Sequence, residues 1–146
     1  MNQSKNPKII ISINAYKLKA LQEVINSCEK NVKEDFVIIL NNSIDLDKHI
    51  RANNLFADKK NIVLNPEPID KKRFTGSVVK GMVSNINFAL KNIEGWEKFL
   101  ITANRYAINK EISLNYLNRK RDLFLEHKKE GIVPDPQKIC SEFYRI

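Results

Sequence analysis

The sequence predicts an α/β protein, a three-layer sandwich whose sheet is mostly parallel, has at least four strands and carries helices on both faces. Three observations predict it. Short, unbroken runs rich in Ile, Val, Leu and Phe occur at residues 8–13, 36–40, 61–64 and 98–102. Such runs are the mark of strands buried on both faces, as parallel sheets require. Between them, apolar residues recur at spacings of three and four, the period of helices that lie on a sheet. Strand and helix alternate through residue 106, which calls for right-handed crossovers.

The first strand is Lys8-Ile9-Ile10-Ile11-Ser12-Ile13, ended by Asn14-Ala15. Leu18, Leu21, Val24, Ile25 and Cys28 make the stripe of a helix over 16–30, with Asn31 as its stop. The second strand, 36–40, runs directly into Asn41-Asn42-Ser43. Asp45 is positioned to cap a helix over 46–56, with Leu46, Ile50, Leu55 and Phe56 inward. The third strand, 61–64, is terminated by Pro66 and Pro68. A charged loop, Asp70-Lys71-Lys72-Arg73, leads to Gly76-Ser77.

Ser77 reads as the N-cap of a central helix. The stripe expected to face the sheet is Val78, Val79, Met82, Val83, Ile86, Ala89, Leu90 and Ile93. Lys80, Ser84, Asn87 and Lys91 fall on the opposite face. Trp96 is expected to pack where the chain turns into the fourth strand, 98–102. Beyond Tyr106 the periodicity weakens. Leu114, Leu117, Leu123, Phe124 and Leu125 suggest a charged helical segment that Gly131 ends. Pro134-Asp135-Pro136 reads as a turn or tail, and Cys140, Phe143 and Tyr144 as a last short helix. The chain reads as one domain over 1–146, with its core in 8–108 and a charged helical segment in 109–146.

With 146 residues, 42% hydrophobic and 29% charged, the chain is globular in composition and long enough for a sizeable core. Its net charge of +8 permits attraction to nucleic acid, anionic surfaces or phosphorylated small molecules and selects none of them. Cys28 and Cys140 lack CxxC spacing, and a buried free thiol at 28 fits a reducing compartment. No stretch approaches the roughly 18 apolar residues of a membrane span. The first eight residues lack a signal core, so a cytoplasmic location is the expectation.

Candidate site residues gather at the strand ends. Ser12 and Asn14, then Asn41, Asn42 and Ser43, then Thr102, Asn104 and Arg105 fall on one edge of a parallel sheet. Their amides and hydroxyls suit a base, a ribose or a sugar, and equally suit turns after strands. Arg105, Arg73 and Lys72 have the chemistry for phosphate oxygens. Gly76-Ser77 at a helix start is compatible with an anion or with ordinary capping. Neither GxGxxG nor GxxxxGK[ST] occurs. His49 and His127 stand apart, without metal-ligand spacing, so no metal site is expected. Glu67 and Asp70 are the carboxylates placed in a loop toward the crevice. Lys71-Lys72-Arg73 and Arg119-Lys120-Arg121, with Phe74 and Tyr116 nearby, are basic clusters that also suit single-stranded nucleic acid.

The segment Phe74-Thr-Gly-Ser-Val-Val-Lys-Gly-Met-Val-Ser-Asn-Ile-Asn-Phe-Ala-Leu, followed by Trp96-Glu-Lys-Phe-Leu-Ile-Thr-Ala-Asn, resembles the middle of nucleotide-sugar glycosyltransferases of the GT-A fold. It is most similar to the core-2/I-branching N-acetylglucosaminyltransferase type, over roughly residues 8–108. The resemblance implies a Rossmann-like fold of the nucleotide-diphospho-sugar-transferase type. It implies a nucleotide-sugar donor held by Ser12, Asn14, Asn41, Asn42, Ser43, Lys72, Arg73, Gly76, Ser77, Thr102, Asn104 and Arg105. A carbohydrate acceptor and a carboxylate base, Glu67 or Asp70, complete that expectation. Many GT-A enzymes hold a divalent metal on Asp-x-Asp after the fourth strand. Thr102-Ala103-Asn104-Arg105 stands there instead, so no cofactor or metal is expected, as in the branching type. The family's acceptor half and its catalytic carboxylate lie beyond this point, which suggests a minimal or degenerate relative, a donor-binding half or a fragment. The alternative reading is a non-enzymatic basic α/β module that binds nucleic acid or an acidic protein partner.

Overall fold

A computed structural model of the protein describes residues 6–72, 75–104, 106–119 and 143–145. Its centre is a sheet of four strands, β1 (Ile9–Ala15), β2 (Phe36–Asn42), β3 (Ile62–Leu64) and β4 (Lys98–Ala103), in the order β3-β2-β1-β4. All neighbours are parallel. The α/β layering expected from the sequence is therefore present. The chain steps from β1 outward through β2 to β3, then returns to pair β4 on the other side of β1. The strand order thus reverses between β1 and β4.

Register divides the strands into two faces, because successive side chains alternate. Ile9, Ile11, Ile13, Ile38 and Leu40 face helices α1 (Leu18–Asn31) and α2 (Ile44–Ala52), forming the larger core with Leu21, Val24, Ile25, Leu46 and Ile50. Ile10, Val37 and Ile39 face α3 (Ser77–Asn92) and meet Ala89 and Ile93. Trp96 packs on Phe99, with ring centroids 5.8 Å apart, where the chain enters β4. Burying each Ile or Leu of this kind contributes about 1.5–3 kcal/mol, so the strand runs supply most of the drive for the fold. Cys28 is a buried free thiol inside the larger core.

Helix α3 departs from the expected orientation. The residues it buries are Ser77, Gly81, Asn85 and Ala89, while Val78, Val79, Val83 and Leu90 are exposed, Leu90 by 65%. Of the stripe expected to face the sheet, Ala89 and Ile93 are buried, but Val78, Val79, Val83 and Leu90 are not. The inward stripe is small and polar because it meets polar partners on the sheet. Asn85 Nδ2 donates to Ser12 Oγ at 2.8 Å and to the Ile39 carbonyl at 3.3 Å, and Asn85 Oδ1 accepts from Asn65 Nδ2 at 2.8 Å. Asn65 Nδ2 also reaches Ser84 Oγ at 3.0 Å. A buried amide satisfied on this scale fixes the rotation of a helix more firmly than apolar contact does.

The helix starts differ in detail too. Gly76, at φ 72°, is the N-cap of α3, and Ser77 is its first helical residue. Ser77 Oγ accepts from the Lys72 N–H at 2.8 Å, closing the preceding loop rather than capping the helix. Ser43, not Asp45, occupies the N-cap of α2. After β4 come β5 (Tyr106–Ile108), α4 (Leu114–Arg119) and β6 (Phe143–Arg145), with β5 and β6 antiparallel. Residues 143–145 thus form a strand where the sequence suggests a helix. The expectations placed on Leu123, Phe124, Leu125, His127, Gly131, Pro134 to Pro136 and Cys140 lie outside the described residues.

Candidate functional site at the sheet edge

Each strand of the parallel sheet has asparagine at or next to its carboxyl end: Asn14 after Ile13, Asn41 and Asn42 after Leu40, Asn65 after Leu64 and Asn104 after Ala103. All five are buried. The register brings Asn14 beside Asn41 and Ala103 on the face that α3 covers. Ala15 and Asn42 lie one residue further on and face the other way. The edge is therefore two half-sites back to back, and the paired Asn41-Asn42 serves both.

On the α1–α2 side, the amides are committed to the scaffold except for Asn42 Oδ1, which has no hydrogen-bond partner among the described residues. Asn104 Oδ1 accepts the Tyr16 N–H at 2.6 Å and the Lys17 N–H at 3.3 Å, serving the start of α1, which has no side-chain cap of its own. Asn42 Nδ2 donates to Asp47 Oδ1 at 3.4 Å, and Asp47 Oδ2 accepts from Arg51 Nε at 2.7 Å. Ser43 N–H donates to the Ala15 carbonyl at 2.8 Å. Asp70 Oδ1 accepts the Ile44 N–H at 2.8 Å, placing a carboxylate at the positive end of α2. Thr102 Oγ1 donates to the Tyr106 carbonyl at 2.9 Å.

On the α3 side the edge is less settled. Neither Nδ2 nor Oδ1 of Asn14 has a hydrogen-bond partner among the described residues, although the side chain is buried. An orphaned buried amide costs roughly 1–3 kcal/mol, so its presence asks for a reason. Gly81 lies directly against Asn14, and only the lack of a Cβ lets α3 approach so closely. Asn41 Nδ2 donates to the Glu67 carbonyl at 3.0 Å. Its Oδ1 accepts from Lys71 Nζ at 2.5 Å, and Lys71 Nζ also donates to the Ile69 carbonyl at 2.5 Å. Lys71 is half-buried, and burial lowers its amine to about 8, against a weaker opposing effect of the Asp70 carboxylate.

The structure thus brings Asn14, Asn41 and the part of the loop that carries Glu67, Lys71 and Lys72 together on the α3 side, while the Asp70 carboxylate turns to the start of α2. It directs Ser12 into the Asn85 network, and Asn42, Ser43 and Asn104 into the β1–α1 and α2 joints. Gly76 and Ser77 close the loop above. Glu67 and Lys72 are exposed. Arg73 and Arg105 lie outside the described residues. Two residues of the edge, Asn65 and Asn85, were not singled out by the sequence as site residues, and Lys71 was named only as part of a basic cluster. The recurrence of Asn immediately after each apolar run signals Asn65. Nothing in the helical pattern signals Asn85, and Lys71 differs from its basic neighbours only in where its chain is buried.

Among the described residues no group of three His, Cys, Asp or Glu side chains is placed to hold a metal ion. No helix among them is long and apolar enough to cross a membrane. A cavity on the β3 flank, lined by Ile50, Leu55, Phe56 and Ile62 among others, contains none of the edge amides. Comparison with protein-family models, curated proteins and solved structures finds no match to this chain.

Proposed function

We propose that this chain is a glycosyltransferase-like protein that binds a nucleotide sugar at the carboxyl edge of its parallel sheet. The observation that carries the reading is the coincidence of strand order with edge chemistry. Ligands of open α/β sheets bind outside the strand carboxyl ends where the order reverses. Here that reversal lies between β1 and β4, and Asn14, at the end of β1, keeps an unpaired donor and an unpaired acceptor. The pairing of donor and acceptor on this amide complements the edge of a base or the hydroxyls of a sugar, and because Asn14 is buried beneath Gly81 a ligand reaches it only if α3 yields. The adjacent loop supplies cationic Lys71 and Lys72 and the carboxylates Glu67 and Asp70.

In this reading an acceptor hydroxyl attacks the anomeric carbon of the donor. The bond from that carbon to the diphosphate oxygen breaks, and the nucleoside diphosphate leaves. The hydroxyl proton passes to a carboxylate. Asp70 already accepts an N–H of α2, so Glu67, exposed on the same loop, is the better placed base. Cationic side chains of the loop stabilise the leaving diphosphate.

The test is a thermal-shift screen against UDP, GDP, CMP and their sugars, with and without manganese. Stabilisation by one nucleotide family at millimolar ligand supports the reading and names the base. No shift with any of them refutes it.

A second reading is favoured by the outer face of α3, where Val79, Val83 and Leu90 are exposed alongside Lys80 and Lys91. A basic, partly apolar helix face suits an acidic protein partner, and the +8 charge suits nucleic acid as well. Affinity for nucleic acid that falls steeply with salt would favour this module over the nucleotide-sugar site.

A further inference from the structure

The β3 flank of the sheet carries a cavity that the sheet-edge site does not use. β3 is the outermost strand on this side. The cavity lies between it and the turn that follows α2, and has a volume of about 530 Å³. Sites for small molecules run from roughly 300 to 1,000 Å³.

The way α2 ends shapes one wall. The Leu55 N–H donates to the Ile50 carbonyl at 3.0 Å across Asn54, which stands at φ 49°, the left-handed position that commonly closes a helix. Phe56, at φ 65°, lies beyond that closure. Bulky side chains rarely adopt this region, and strained backbone of this kind collects at ligand clamps. The Lys59 N–H donates to the Phe56 carbonyl at 2.9 Å and holds the turn. Leu55, Phe56, Ile62 and Leu64 all line the cavity and are half-buried, packed against the larger core on one side and open on the other. Apolar side chains grouped in this way gain from an apolar body that removes them from water.

The same cavity is basic. Arg51, Lys59 and Lys60 line it, and none of its described lining residues is acidic. Arg51 Nε is bonded to Asp47 and Lys59 Nζ to Glu29, both at 2.7 Å. Lys60 is exposed and takes part in none of the ion pairs of the described residues. Asp58, the nearest carboxylate in sequence, is exposed and lines no part of the cavity.

We propose that the β3-flank cavity binds a small amphipathic anion, an apolar body carrying one carboxylate, with the body on Leu55, Phe56, Ile62 and Leu64 and the carboxylate toward Lys60. Charge complementarity selects this occupant. A second copy seated on the same patch, as a two-fold dimer requires, would set three cations against their own counterparts. The cavity contains none of the edge amides, so its ligand is independent of the nucleotide-sugar reading.

The experiment is methyl-resolved NMR of the full chain at pH 7, titrated with octanoate and with 1-octanol. Octanoate should shift the methyls of Leu55, Ile62 and Leu64 saturably at millimolar concentration and leave those of Val79, Val83 and Leu90 on α3 in place. 1-Octanol has the same chain without the charge and should bind about fivefold more weakly or worse. Lys60→Glu changes an exposed side chain, so the protein should fold, bind octanoate about fivefold more weakly and bind 1-octanol as wild type does. No saturable shift at the cavity methyls, or shifts confined to α3, overturns the proposal. Equal affinity for octanoate and 1-octanol overturns it too, as does a Lys60→Glu protein that binds octanoate as tightly as wild type. Cavity methyls that shift with protein concentration alone would give the patch to self-association and overturn it as well.

Discussion

Gly81 and Asn14 touch across the interface of α3 with β1, and a Cβ on Gly81 would collide with the Asn14 side-chain oxygen. Asn14 is 2% exposed, so its side chain has nowhere to withdraw. Gly81→Ala should therefore destabilise the protein by about 1–3 kcal/mol from overpacking, offset in part by about 1 kcal/mol of better helix propensity. Asn14→Ala alone should change stability little, because it removes an orphaned amide along with its contacts. The double variant should recover most of what Gly81→Ala loses. Urea unfolding of the four proteins measures the coupling, and simple additivity would show that the two residues do not meet.

Asn85 ties α3 to both β1 and β2. Asn85→Leu has similar size but leaves Ser12 and Asn65 short of partners in a buried place, and should cost about 2–4 kcal/mol. Leu90→Lys and Val83→Lys, on the outer face of the same helix, should stay within about 0.5 kcal/mol. If the lysine variants unfold the protein and Asn85→Leu does not, α3 faces the other way.

Lys71 should react with an acylating reagent at lower pH than an ordinary lysine. Its labelling, followed by mass spectrometry, should reach half its maximum near pH 8 rather than near 10.5. The same shift fixes a sign for stability. Between about 8 and 10.5 the unfolded chain holds more protons at this residue than the folded one, so its contribution makes stability rise with pH. Lys71→Met should flatten the stability curve in that window.

Cys28 should be inert in the folded protein. It is fully buried among apolar residues, and burial pushes its thiol up to about 12. In a Cys140→Ser background, a thiol reagent should find no reactive group at pH 8 until denaturant is added, and then one. Rapid reaction in buffer would mean that the core around α1 opens.

The strands were legible in the sequence because a parallel strand buried on both faces has to be apolar throughout, and Ile9 to Ile13 or Val37 to Leu40 can be little else. Cys28 followed from the stripe of α1. The cluster at the strand ends was visible as Asn14, Asn41, Asn42 and Asn104, since a polar residue directly after a buried run marks where the sheet stops. The facing of α3 was not legible. Its valines and leucine form the more apolar stripe, and only the presence of Ser12 and Asn65 opposite makes Asn85 the residue to bury. Strands β5 and β6, at three residues each, carry too little pattern to detect.

By itself the sequence determined the layers, the order of elements and the gathering of amides on one edge, because periodicity and strand burial are local properties of the chain. The tertiary structure alone decided which amides are spent and which are left over. Asn104 and Asp70 are consumed by helix starts that come near them only once the sheet is assembled, and Asn42 spends its Nδ2 on Asp47. Among the described residues Asn14 is left without a hydrogen-bond partner and Lys71 without a close ion pair for the same reason. A hydrogen bond or an ion pair depends on what the fold places within about 3 Å, and residues 14, 41 and 71 meet only after β1, β2 and the loop beyond β3 are in register.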